Sequence, residues 1–165
     1  MAIVYTADEI FNIGVEIEKN GRKFYEAAAR SASDASVKAF FDRLAKWEIE
    51  HEKLFAVLQS GLSGQAKEPV SYDPAGELGM YMKAAADTHI FKVDADIPSL
   101  VKKCKTEKEA LSMALTFEKD SVVLYSTMLN LVPEHLGKKD VQKILNEELK
   151  HVSIITEEMG KLGEK

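Results

Sequence analysis

The same interruption of an apolar helical stripe occurs twice in this chain, a hundred residues apart. In the first copy Val37, Phe41, Leu44, Phe55 and Leu58 keep the three-and-four spacing of a packed helix face, and Glu48 and His51 fill the seam positions between Leu44 and Phe55. In the second, Val141, Ile144, Glu148, His151 and Ile155 repeat the pattern. A carboxylate and an imidazole thus stand where leucine is expected, and burying a polar group without a partner costs roughly 2–7 kcal/mol, an unpaired charge more. The offset reaches beyond this stretch: Thr6 falls on Thr106, Glu9 on Glu109, Glu18 on Glu118 and Tyr25 on Tyr125. The chain reads as two copies of one helical hairpin.

Taken in order, Thr6-Ala7-Asp8-Glu9 has the form of a capping box, and the first helix is expected to run to about Ala32. Its seam is Phe11, Gly14, Glu18, Gly21, Tyr25 and Ala28, with the two glycines leaving room for another helix or a cofactor. A short corner leads into the second helix, which Gly61 stops. Residues 61–105 lose the rhythm. A short helix opened by Asp73-Pro74 and reaching about Ile90 is expected there, followed by an irregular piece from Asp94 to Pro98. A second capping box, Thr106 to Glu109, opens the third helix, which Pro133 ends; the fourth begins near Lys138 and frays toward Gly160 and Gly163. The expected architecture is one all-α domain, residues 1–165. It is a four-helix bundle of two hairpins, 6–60 and 106–162, joined by a crossover at 61–105.

Face to face, the two hairpins place Glu18, Glu48, His51, Glu118, Glu148 and His151 in the middle of the bundle. One glutamate from each of two helices plus Glu-x-x-His from each of the other two is a ligand set for two metal ions, since residues three apart share a helix face. Glu48 and Glu148 are placed to bridge; Glu18, His51, Glu118 and His151 are placed to terminate, and spacing leaves open which of them share an ion. Four carboxylates balance two divalent ions, and a mixed oxygen and imidazole set suits iron or manganese better than structural zinc. The alternative is a metal-free Glu–His network with raised glutamate pKa values.

Composition narrows the options. With Cys104 alone there is no disulfide framework and no thiolate iron site. The net charge of −5, without a basic cluster, disfavours a nucleic-acid partner. No run approaches the roughly 18 apolar residues of a membrane span, and the apolar start is too short for a signal peptide. A cytoplasmic protein with no membrane partner is expected.

Glu18-Lys19-Asn20-Gly21-Arg22-Lys23-Phe24-Tyr25 with Glu48-Ile49-Glu50-His51, echoed by Glu118-Lys119-Asp120-Ser121-Val122-Val123-Leu124-Tyr125 with Glu148-Leu149-Lys150-His151, resembles the rubrerythrin branch of the ferritin-like di-iron proteins. The resemblance spans about residues 6–160. It implies a ferritin-like bundle with two irons, manganese being the other candidate, and places Tyr25 and Tyr125 in hydrogen bonds to ligand carboxylates. Read from the residues alone, the tyrosines serve equally well as aromatic core. It further implies an oxidoreductase that reduces hydrogen peroxide or dioxygen. The single cysteine cannot build rubrerythrin's rubredoxin-like domain, so electrons are expected from a separate donor such as a rubredoxin-like protein. Rubrerythrin's extra glutamate on the third helix is replaced by Ser121, mirrored by Gly21, which makes the set more symmetric and nearer to bacterioferritin. Ferroxidase or iron-handling activity, or a non-catalytic di-metal bundle acting as sensor or interaction module, are the alternatives; a homodimer is expected. Of the remaining residues, His89 and His135 read as surface histidines, Cys104 as a passive thiol, and Trp47 as packing beside the seam, with a dimer contact as the option there.

Overall fold

The computed structural model describes residues 5–62 and 75–163. The first hairpin is α1 (Ala7–Ser31) packed along α2 (Ala35–Ser60); the second is α5 (Glu107–Leu131) packed along α6 (Lys138–Gly163). Between them lie α3 (Glu77–Thr88), resting on α5, and α4 (Ile97–Lys103), resting on α1. A 3₁₀ turn, Glu134–Leu136, follows Pro133. The result is the expected helical bundle.

Local chemistry explains the helix boundaries. The Thr6 hydroxyl accepts from the Glu9 amide at 3.3 Å, and the Glu9 carboxylate accepts from the Thr6 amide at 2.8 Å, so this capping box is complete. The box at Thr106 forms only by half. Thr106 caps the Glu109 amide, but the Glu109 carboxylate turns to the Lys105 amide at 2.6 Å. In the corner between α1 and α2, Asp34 caps the Ser36 amide at 2.7 Å while Glu107, from the other hairpin, accepts from the Ser33 and Asp34 amides at 2.8 and 2.9 Å. That carboxylate ties the second hairpin to the start of α2.

The core is aromatic on both sides of the polar middle. Phe11 meets Phe55 at 6.5 Å between ring centres, and Phe24, Phe91 and Phe117 form a cluster with spacings of 4.9 and 4.8 Å. Each such ring, fully buried, contributes about 1.5–3 kcal/mol. Gly14 and Gly21 serve these rings rather than a cofactor: a Cβ at Gly14 would lie 2.9 Å from Phe55, and one at Gly21 2.5 Å from Phe117.

The crossover departs from expectation in two ways. The piece from Asp94 to Pro98 leads into a helix, because Asp96 caps the Ser99 amide and Pro98 occupies the first turn, where its missing N–H costs nothing. The expected Asp73-Pro74 opening of α3 lies outside the described residues; Gly76, in the left-handed conformation, precedes the first turn. His89 is not on the surface. It closes α3 and is buried at 2% exposure. The segment that follows is clamped by a repeat pair, with Asn20 donating to the Phe91 and Lys92 carbonyls at 3.4 and 3.0 Å and Asp120 accepting from the Ile90 amide at 2.9 Å. Buried backbone groups need partners, and these two side chains supply them. His135, by contrast, is exposed as expected.

Candidate metal centre

Four helices each bring one turn of polar side chains to the same level of the bundle. α1 brings Glu18, α2 Glu48 and His51, α5 Glu118, and α6 Glu148 and His151. The four carboxylates have no exposed surface, and the two imidazoles are 2% and 4% exposed. All six predicted residues are therefore brought together. Atoms of Glu18, Glu48 and His51 lie within 4.8 Å of one another, as do atoms of Glu48, Glu118 and His151, so Glu48 belongs to both groups.

The orientation of the oxygens is informative. Tyr25, on α1, donates its hydroxyl proton to Oε1 of Glu118 at 2.7 Å, and Tyr125, on α5, donates to Oε1 of Glu18. The two tyrosines thus cross between the hairpins, and each occupies one oxygen of the opposite glutamate. The second oxygens of Glu18 and Glu118, both oxygens of Glu48 and of Glu148, and Nδ1 of each histidine are buried with no hydrogen-bond partner. Nδ1 of His51 lies 2.8 Å from Glu148 and 3.6 Å from Glu18; Nδ1 of His151 lies 3.4 Å from both Glu118 and Glu148. None of these approaches is aligned as a hydrogen bond. Buried polar atoms are ordinarily satisfied, and eight orphans gathered at one level of the bundle are an arrangement a pair of cations would complete.

Electrostatics in the metal-free protein follow from this crowding. Burial, then repulsion from Glu18, pushes Glu48 well above the usual carboxylate range; burial and the nearby Glu148 do the same to Glu118. Glu148 goes the other way: burial opposes its charge, but Glu118, His151 and His51 hold it as the carboxylate below its ordinary value. Burial disfavours charge on the histidines too, yet the carboxylates win. Beside Glu148 and Glu18, His51 is pushed up to about 12; beside Glu118 and Glu148, His151 is pushed up to about 10. Without metal, then, protons hold the cluster together.

Three residues around the site were not legible as part of it. Glu147, 53% exposed, accepts from Nε2 of His51 at 2.8 Å. Trp47, half-buried, lies flat on His151 with ring centres 4.7 Å apart and planes 11° from parallel, more than mere packing beside the seam. His89 takes the Phe91 amide on Nδ1 at 3.1 Å, which leaves the Nε2 proton to donate to Ser121 at 3.2 Å. Burial holds His89 down to about 3, so it stays neutral. The repeat flagged none of them: Trp47 and Glu147 occupy one position where the two copies differ, and His89, in the crossover, has no counterpart. Cys104 is half-buried and its thiol is pushed up by burial, as befits a passive group.

On the α2/α6 face two shallow clefts open toward the histidines. One, of about 410 Å³, is lined by Trp47, Glu50, Glu147, Lys150, His151 and Ile154; the other, of about 370 Å³, reaches His51 beside Glu147. No described helix is long and apolar enough to cross a membrane.

Comparison with known proteins agrees with this picture. The model of the ferritin-like domain family matches residues 6–161. A solved structure from Thermotoga maritima, provisionally described as a ferritin-like diiron-carboxylate protein, superposes with a TM-score of 0.73 at 21% identity, covering 95% of this chain and 96% of that one. No curated protein matches at a significant level. At such identity the bundle is what the two structures share.

Proposed function

Since the chain belongs to the ferritin-like domain family, we propose that its buried cluster holds two metal ions, iron in the first instance, and that the protein is a rubrerythrin-like oxidoreductase reducing hydrogen peroxide or dioxygen. The observation that carries this reading is the set of orphaned buried oxygens and nitrogens, which matches a dinuclear carboxylate site in type and number. Glu48 and Glu148, with both oxygens free, are suited to bridge. Glu18 and Glu118, each with one oxygen held by a tyrosine, are suited to bind terminally with His51 and His151. When bound, the metal pair supplies electrons to the oxidant.

The chain's own residues orient and insulate. Tyr25 and Tyr125 fix the terminal carboxylates, the aromatic layers exclude bulk water, and the neutral Nε2–H of His89 keeps Ser121 turned toward itself. The reaction needs an electron donor, for which a rubredoxin-like protein is the proposed partner; Cys104, the one cysteine among these 165 residues, does not make a thiolate iron site. The symmetric donor set, with Ser121 in place of a seventh ligand, also favours a ferroxidase role in which oxidised iron moves on.

Metal analysis of protein from iron-replete cells tests the centre: two irons per chain are expected. Anaerobic stopped-flow mixing of the diferrous protein with peroxide tests the reaction. Oxidation no faster than that of free ferrous iron removes the oxidoreductase reading, while iron released after oxidation selects the ferroxidase one.

A further inference from the structure

The two halves of the cluster are built from the same three repeat-related positions, 18/118, 48/148 and 51/151, but their outer supports differ. At the repeat-related positions 47 and 147 one copy has tryptophan and the other glutamate. Each reaches across to the histidine of the other hairpin. Glu147 takes the outer proton of His51 at 2.8 Å, whereas Trp47 covers the face of His151 and offers its ring no acceptor. Among the described residues no carboxylate pairs with Nε2 of His151; its ion pairs run through Nδ1. Resting on the di-metal reading above, we propose that Glu147 is a positioning residue that makes the two half-sites unequal, so that the ion beside His51 and Glu18 binds first and more tightly.

The physical basis is tautomer and orientation. A carboxylate on Nε2–H holds that proton outward, so the proton an arriving ion displaces is the one on Nδ1, and the lone pair it leaves faces the cluster. It also makes the ring a stronger base toward the ion. His151 has neither benefit. Its stacking partners, Trp47 at 4.7 Å and His51 at 5.5 Å, hold the plane of the ring but do not choose which nitrogen carries the proton. Glu147 is also exposed, and it lines the cleft that reaches His51. Outer partners of this kind are worth about 10–100-fold in metal affinity.

The test is a titration of the metal-stripped full chain with Zn(II), a diamagnetic probe, followed by NMR of ¹⁵N-labelled histidine rings. Four histidines give four rings to resolve, and the His51→Gln and His151→Gln spectra assign the two of interest. The expected result is that the His51 ring shifts over the first equivalent and the His151 ring over the second. In Glu147→Leu the first step weakens by about 10–100-fold, and Glu147→Asp restores part of it, with circular dichroism unchanged since the side chain is exposed. Both rings moving together, His151 moving first, or a first step unaffected in Glu147→Leu overturns the proposal. Neither ring moving in excess Zn(II) overturns both the proposal and the di-metal reading beneath it.

Discussion

Replacing Glu48 with leucine, the residue its seam position would ordinarily carry, should stabilise the metal-free protein and abolish its response to metal. Glu48 is fully buried, neither of its oxygens has a hydrogen-bond partner, and it belongs to both candidate half-sites. A buried polar group left unsatisfied costs about 1–3 kcal/mol, more when charged; Glu48 escapes the larger figure because it is pushed toward its neutral form. Removing it should therefore return about 1–3 kcal/mol. For a domain of this size each kcal/mol moves Tm by about 2–4 °C, so metal-free Glu48→Leu should melt roughly 2–12 °C above the metal-free parent. Metal reverses the order. An ion held at a hundred times its Kd adds about 2.7 kcal/mol to the parent, and to the variant it should add almost nothing. The assay is calorimetry of both proteins with chelator and with two equivalents of Mn(II) under anaerobic conditions. A metal-free variant less stable than the parent would refute the reasoning, since it would mean that Glu48 holds the core together by itself, as in a structural Glu–His network.

Metal affinity should rise with pH: His51 and His151, pushed up to about 12 and 10, and the raised Glu48 and Glu118 carry protons that an ion must displace. Loss of the two imidazole protons alone corresponds to about a hundredfold per pH unit in the product of the two binding constants, which calorimetric proton counting at pH 6 and pH 8 checks. The same groups bind more protons folded than unfolded, so the stability they lend is full at low pH and shrinks as pH rises. Glu148, shifted down, lends stability that is lost in acid instead. The metal-free protein should thus melt lower at pH 8 than at pH 6, and the metal-loaded protein should not. Tyr25→Phe leaves Oε1 of Glu118 without its donor, and Tyr125→Phe does the same to Glu18. Each should weaken metal binding by about 10–100-fold, measured by competition with a chelator. Gly21→Ala drives a methyl into the buried Phe117 ring and should cost about 1–3 kcal/mol in denaturant titration, without changing metal stoichiometry.

The bundle was readable because its seams are long and periodic, and the six cluster residues because buried carboxylates at one offset leave little other use for themselves. The crossover was not. α4 is only seven residues long, too short for periodicity to register, and its signal lay in Asp96 and Pro98 at its first turn. His89 was misread for want of a repeat partner, although Asn20 on α1 and Asp120 on α5, at the repeat offset, were a sign that something polar docks there. Glu147 and Trp47 were hidden for a related reason. A charged residue beside a seam reads as solvated surface, and only the distance to His51 shows otherwise.

Where the two copies differ, the reasons are not alike. A single crossover passes beside only one face of an otherwise two-fold bundle, so residues that meet it must diverge: Asp120 takes a backbone amide where Asn20 gives to carbonyls, and Ser121 receives His89 where Gly21 yields to a ring. Connectivity alone demands those differences. It makes no such demand at positions 47 and 147. The clefts around them are lined by α2 and α6 only, and among the described residues no crossover element lines them. The asymmetry of Trp47 and Glu147 therefore belongs to the site rather than to the chain path, and each acts on a candidate histidine ligand, Glu147 on the outer nitrogen of His51 and Trp47 on the face of His151.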